Sequence, residues 1–454
     1  MSTAPAAPSA AGPQSGPYQS ATGRWSLVSL IMVGMVISLT DRQIIALLVD
    51  PIKADFGLTD TEFSVLVGPA FVISYILFGY PFGLLADRLQ RRHVIALGVA
   101  VWSAATVSCG LAGSFVALAA ARAVVGAGEA ALMPCAMSVM SDLFPRERLP
   151  FVTGIFSISL HIGGASAFLI GGAILSAFAG VSEVRLLLFG PLAPWQVAFV
   201  LVGLPGLLLA VVFLFVQEPQ RRVRGGTRVD PDMSGAVTAD LMAFLRHNRR
   251  ALVAQMAAAA LLTIGAYAFV NWSPAFLVRA HGLPGPEAAL YLGAIMILCG
   301  PAGAISGGAL TSWWTEHRGV VDAPWRIMIL SAVGSGIFGG IAFTSSVMVL
   351  SVSLLAVAIL FGSLYLGVVH AALQLITPEP LKGRLAAILL MCMTGIGATS
   401  GPVLVALLTD YVFIAPERVG HSIAVIALFV GLSVSLILGT SLGSYRESYR
   451  RIAD

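Results

Sequence analysis

Charge is what this chain has least of. Only 11% of its 454 residues are Asp, Glu, Lys or Arg, while 57% are hydrophobic; a soluble domain carries roughly 25% charged residues. A large soluble helical core would need polar helix faces, which its long apolar runs lack, so that class is set aside. Cysteine is sparse too. Cys109, Cys135, Cys299 and Cys392 stand singly in apolar segments with no CxxC spacing, so they read as packing residues, with no metal site and no disulfide implied. No GxSxG, HExxH or GxxxxGK[ST] signature occurs, so nothing points to an enzyme or a cofactor. Without a nucleotide site, uphill work must draw on an ion gradient.

Apolar runs long enough to cross a bilayer, about 20 residues each, are what the sequence does have. Twelve are expected, near residues 25–49, 61–86, 93–113, 116–141, 150–180, 195–216, 249–279, 287–313, 325–344, 347–377, 385–411 and 420–443. The fold class is therefore an all-α membrane protein. Residues 1–23 are rich in Pro, Ala, Ser and Gly without an apolar signal-like core, and read as a disordered cytoplasmic tail. A polar connector at 217–247 separates six spans in 24–216 from six in 248–446, with a short tail at 447–454. IGGAS at 162–166 is echoed by IGATS at 396–400, and FPRER at 144–148 by TPEPLKGR at 377–384. The echo and the equal span count argue for a duplicated six-helix unit, with substrate bound near the midplane between the halves.

Orientation follows from the basic residues. With the N-terminus inside, all Lys and Arg fall in cytoplasmic segments except Lys53, Arg185, Arg279 and Arg418 outside, and Arg42 and Arg122 within spans. Arg221, Arg222, Arg224 and Arg228 cluster in the connector. The positive-inside rule then places both termini in the cytoplasm. The net charge of +4 is this loop bias and gives no warrant for nucleic-acid binding.

Against that background ISLTDRQIIALL, residues 37–48, stands out, because it puts Asp41 beside Arg42 inside the first span. A charge at mid-bilayer costs about 2.5 to 3.5 kcal/mol on insertion scales, so such residues usually serve a pathway or find a partner. The fourth span adds RAVVGAGEA at 122–130, with Arg122 and Glu129 two turns apart on one helix face. Gly126 and Gly128 beside them leave room for a close helix or a ligand. Counting helical rise from the span ends puts Asp41 and Arg122 at similar depth and Glu129 roughly 10 Å further toward the cytoplasm. Asp41 and Arg122 are expected to pair, Arg42 to offer a second positive site, and Glu129 to hold a proton; static neutralisation alone would need only one acid and one base.

GLLADRLQRR at 83–92 resembles the short loop motif of the major facilitator superfamily between its second and third spans. That motif runs Gly, three residues, Asp, a base, one residue, Gly, then two bases. Gly83, Asp87, Arg88, Arg91 and Arg92 match it, Gln90 replaces the second Gly, and the second half keeps only a decayed copy, with Gly308 and with Ser312 in place of Asp. Asp87 and the neighbouring arginines are expected to form a conformational latch. With TDR at 40–42, RxxxGxGEA at 122–130 and SDLFPRER at 141–148, the chain is similar to the spinster branch. That resemblance implies lysolipid substrates, such as lysophospholipids or sphingosine 1-phosphate, often moved with protons. Organic-anion symporters share much of the pattern.

The second half offers no deep charge, only Asn271 and Trp272 in the seventh span and His370, Gln374 and Tyr365 in the tenth, with Tyr267; His161 lies in the fifth. One half could hold a charged head while the other accepts an apolar tail. The expectation is a monomeric secondary transporter in a bacterial inner membrane, the bacterial assignment resting on short tails and compact loops. It would carry an amphipathic anion by alternating access, with Asp41 and Glu129 coupling protons and Arg42, Arg122, Glu129, Asn271, Trp272 and His370 binding substrate. A proton-coupled symporter of small organic anions is the alternative. A membrane-embedded lipid-modifying enzyme using Asp41, Glu129 and His161, or a receptor or scaffold, is a remote one.

Overall fold

The structure, a computed structural model, describes residues 18, 20–145, 148–186, 189–221, 244–378 and 381–453, apart from the side chains of Asp87, Pro150, Leu186 and Ala453. Arg222, Arg224 and Arg228 of the basic cluster, and most of the expected connector and N-terminal tail, lie outside these residues.

Among the described residues twelve helices are long and apolar enough to cross a membrane. They are α1 Ala21–Leu47, α2 Asp60–Ala86, α3 Arg91–Gly110, α4 Phe115–Leu143, α5 Phe151–Ala177 and α6 Pro194–Phe215, then α7 Arg249–His281, α8 Gly285–Arg318, α9 Ala323–Thr344, α10 Met348–Leu375, α11 Lys382–Phe413 and α12 Pro416–Ile452. These agree with the apolar runs to within several residues. The largest difference is at the end of α12, and that at the end of α8 exceeds the one at the start of α1. Helix begins at Ala21, where the Ser20 hydroxyl accepts from the Gly23 N–H, so 21–23 belong to α1 and not to a tail. The final helix runs unbroken from Val419 to Ala453, so 447–453 also continue a span; Arg446 paired with Asp322, and Arg451 with Glu447, carry it on beyond the apolar stretch.

Helix starts and stops follow local chemistry. Thr59 and Glu62 form a reciprocal capping box at the start of α2. A short helix, Val49–Phe56, between α1 and α2 ends at Gly57, whose φ of 66° suits glycine. Four spans carry irregular turns, which a membrane helix tolerates where the freed backbone is buried in protein. α1 tightens to a 3₁₀ turn at Ile44–Leu47, α4 breaks at residues 130–131 directly after Glu129, α10 holds a 3₁₀ turn at Leu364–Gly367, and α11 widens into π-helix at Cys392–Ala398 and Leu408–Phe413.

The helices form two bundles with matching contacts. In the first, α1 packs on α5, α2 on α4, and α3 on α4 and α6; in the second, α7 packs on α11 and α12, α8 on α10, and α9 on α10 and α12. The bundles meet along α5 with α8 and α2 with α11. Small residues set these distances. A Cβ on Gly128 would lie 2.7 Å from the Trp102 backbone nitrogen, and one on Gly126 would run into the Phe71 carbonyl and Ser74 hydroxyl. The glycines beside Glu129 therefore serve close helix approach and do not leave space for a ligand. Each bundle is built around fully buried aromatics, Trp102 and Phe199 in one, Trp272 and Trp325 in the other.

Candidate functional site

The four deep charges come together where α1, α3 and α4 meet. Asp41 is fully buried, and its Oδ2 accepts from the Thr106 hydroxyl at 3.2 Å, while Oδ1 is buried and has no hydrogen-bond partner among the described residues. Arg122, also fully buried, does not form the expected ion pair with Asp41. Its Nη1 donates to the Asp41 backbone carbonyl at 3.3 Å, and its Nε and Nη2 approach the Leu66 and Arg42 carbonyls at 3.5 Å. The pair that forms is Arg42 with Glu129: Nη2 lies 2.5 Å and Nε 3.1 Å from Oε2. Depth along the helices favoured the other pairing, but the long Arg42 side chain reaches past Phe71 and Tyr75, over whose rings it lies at 4.5 and 5.1 Å.

Two cavities adjoin this cluster. A narrow recess is lined by Arg42, Gln43, Phe71, Tyr267, Asn271 and Thr394. The larger lies between α5 and the second bundle, with about 200 Å³ of internal volume, and no charged residue lines it among the described residues. Its wall is mainly apolar, with Leu262, Phe269, Met296, Ile359, Leu366 and Val430 among its residues. Gln43 borders both.

The remaining sequence candidates divide. Asn271 borders the recess but donates to the Tyr267 carbonyl of its own helix at 2.8 Å. Trp272 lines neither cavity: its indole N–H donates to the Pro402 carbonyl at 3.0 Å and its ring meets Phe63 edge-on. His370 is exposed on α10 and also lines neither. His161 lines the large cavity, with Nδ1 3.4 Å from the Ser157 carbonyl and its ring edge against Gly300. In the loop motif, Arg91 is fully buried and ion-paired with Asp142 on α4 and, at 2.8 Å, with Glu218 just beyond α6. Arg92 holds the Val216 carbonyl at 3.1 Å and Arg88 is exposed. A Cβ on Gly83 would meet nothing within 4 Å. The Asp87 side chain lies outside the described residues.

Sequence reasoning missed a second charged network, at the face opposite the termini. Arg279 at the end of α7 donates to Asp50 Oδ1 at 2.6 Å and to Asp60 Oδ2 and Oδ1 at 2.8 and 2.9 Å, and Lys53 pairs with the same Asp60. Beside it the Thr61 N–H and hydroxyl donate to Asp410 on α11 at 2.7 and 2.6 Å. These contacts tie the first bundle to the second. Their only advance signal was the isolation of Lys53 and Arg279 on a face poor in bases.

Residues 31–402 match the profile of the Major Facilitator Superfamily. The chain is 27% identical to an MFS-type efflux pump of Mycolicibacterium smegmatis, covering 85% of this chain and 84% of that one. It is 25% identical to the hexuronate transporter of Bacillus subtilis, over 76% and 79%. Among solved structures, a bacterial homologue of the human lysosomal transporter spinster, in an inward-facing and unoccupied conformation, superposes with a TM-score of 0.75 at 23% identity, covering 97% of this chain and 98% of that one.

Proposed function

Since the chain belongs to the major facilitator superfamily and is a multi-pass membrane transporter, we propose that it moves an amphipathic anion, of the lysolipid or sphingosine-phosphate kind, by proton-coupled alternating access. The observation that carries this reading is that Gln43 lines both the Arg42 recess and the uncharged, mainly apolar cavity. A polyhydroxylated acid would leave its hydroxyls unpaired against that wall, whereas an alkyl chain gains from it. Arg42 and Arg122 serve the anionic head, with Arg42 released from Glu129 as the head arrives. Asn271 flanks the head, while Trp272 and His370 act away from it.

Asp41 and Glu129 are the proton sites, Asp41 through the buried carboxylate oxygen that no donor engages. The distribution of basic residues supports a cytoplasmic position for both termini. The Arg279 network then closes the outer side. Gly83, Asp87, Arg88, Arg91 and Arg92 form the inner latch, with Asp142 and Glu218 as the acids that hold Arg91. The working unit is a monomer.

A small organic anion is the second reading, favoured by the compact size of the Arg42 recess and the likeness to a hexuronate transporter. A chain-length series of single-chain phosphates separates the two. For an amphipathic substrate, affinity corrected for micelle partitioning rises by up to about 0.8 kcal/mol per buried CH₂ until the cavity fills. Flat or falling affinity with chain length, together with tight binding of hexuronate, would reject the lysolipid reading in favour of the small anion.

A further inference from the structure

The large cavity has five polar lining residues, Gln43, His161, Ser335, Ser363 and Tyr365. Four of them already face a polar group of the protein. Ser335 donates to the Ser331 carbonyl at 2.7 Å, Ser363 to the Ile359 carbonyl at 2.8 Å, and Tyr365 is hydrogen-bonded to Thr263. The His161 Nδ1 faces the Ser157 carbonyl and its Nε2 is occluded where the ring edge meets Gly300. Gln43 differs from all of these. Among the described residues its amide makes no hydrogen bond, it is half-buried, and it is the residue common to both cavities.

Its position follows from the backbone. Gln43 is the last α-helical residue of α1, immediately before the tightened turn Ile44–Leu47. Arg42, one residue earlier, lines the recess but not the large cavity. An amide carries two donors and an acceptor with no net charge. In an otherwise apolar wall such a group is indifferent to a hydrocarbon tail and gains nothing from an anion already held by arginine. It suits a neutral group that both donates and accepts, or does either.

We infer that Gln43 is a specificity-determining residue, whose amide reads an ester, amide or hydroxyl lying between the anionic head and the apolar tail of the substrate. The inference rests on the amphipathic reading above and adds a requirement to it: charge and chain length together do not suffice, because a linkage with hydrogen-bonding capacity is recognised at the junction. A plain alkyl phosphate would leave the amide unpaired as the tail displaces water from it, and an unpaired buried polar group is costly.

The test compares an acyl glycerol phosphate with an alkyl phosphate of equal chain length, by equilibrium binding to the purified full chain with free concentrations corrected for micelles. Wild-type protein is expected to prefer the acyl glycerol phosphate by roughly three- to tenfold, the range of one net hydrogen bond. Gln43→Met, which keeps the length and removes the amide, is expected to abolish that preference by weakening the acyl glycerol phosphate while leaving the alkyl phosphate unchanged or tighter. Gln43→Leu is read the same way should the first variant fail to fold. A preference that survives in the folded variant, or an equal loss for both ligands, overturns the role of Gln43 while the amphipathic reading stands. Wild-type protein that binds neither phosphate overturns both.

Discussion

Arg42 and Glu129 face each other across α1 and α4 with Nη2 and Oε2 2.5 Å apart, and the two partners are unequally shielded. The Arg42 side chain retains 17% exposure and lies over two aromatic rings, whereas the Glu129 side chain is wholly buried, with Oε1 unpartnered among the described residues. Removing one partner of a buried pair costs about 3 to 5 kcal/mol when the other is left charged and out of water. The asymmetry therefore predicts unequal single variants. Arg42→Ala should destabilise the protein by something in that range at neutral pH, and Glu129→Gln by clearly less, with the double variant recovering much of the Arg42→Ala loss. Thermal unfolding in detergent would measure this. Glu129→Gln should also tighten anionic ligands, because it removes the internal competitor for Arg42. Weaker anion binding in a stably folded Glu129→Gln protein would show that the pair positions the arginine and does not restrain it.

Asp41 yields a prediction on coupling. One of its oxygens accepts from Thr106 and the other meets no donor among the described residues, in a fully buried setting. Asn has nearly the same shape and cannot exchange a proton, so Asp41→Asn should abolish the response of transport to an imposed pH gradient in proteoliposomes while retaining part of ligand binding. Counterflow without a gradient should persist. A wild-type pH response in this variant would move the coupling role to Glu129.

The spans and the depth of the four charges were legible because a bilayer punishes polar residues so strongly that composition alone locates them. Their pairing was not. Counting rise along a helix gives depth but neither the rotation of the helix nor the reach of an arginine, and on that count Asp41 and Arg122 looked closer than Arg42 and Glu129. Gln43 went unnoticed for another reason. It carries no charge and follows two residues that do, so only the shape of the cavities singles it out. The Arg279 network joins residues 229 and 219 positions apart, at helix ends and in a short connecting helix where charge is unremarkable, and no local pattern announces such a meeting.

That network carries the last prediction. Asp50, Lys53 and Asp60 of the first bundle and Arg279 of the second share their hydrogen bonds at the face opposite the termini. Under the alternating access proposed above this face has to part, so the contacts would break once in each cycle and their strength would set how often the face opens. The shares are unequal. Asp60 is fully buried and accepts from both bases, whereas the Asp50 side chain keeps 39% exposure, where water screens the pair. Asp60→Asn and Arg279→Gln should each raise the open population several-fold, since about 1.4 kcal/mol shifts a two-state ratio tenfold, and Asp50→Asn should raise it less. Spin labels at exposed Ala54 and Glu417, one on each bundle, would report the opening as a longer distance component. Ligands that bind the state closed at this face should lose apparent affinity in proportion to the shift, with no change in the residues they touch. Were Arg279→Gln to leave the label distances and transport rate at wild-type values, the network would be packing between two bundles and the barrier to opening would lie elsewhere, the Thr61 to Asp410 contact being the next to remove.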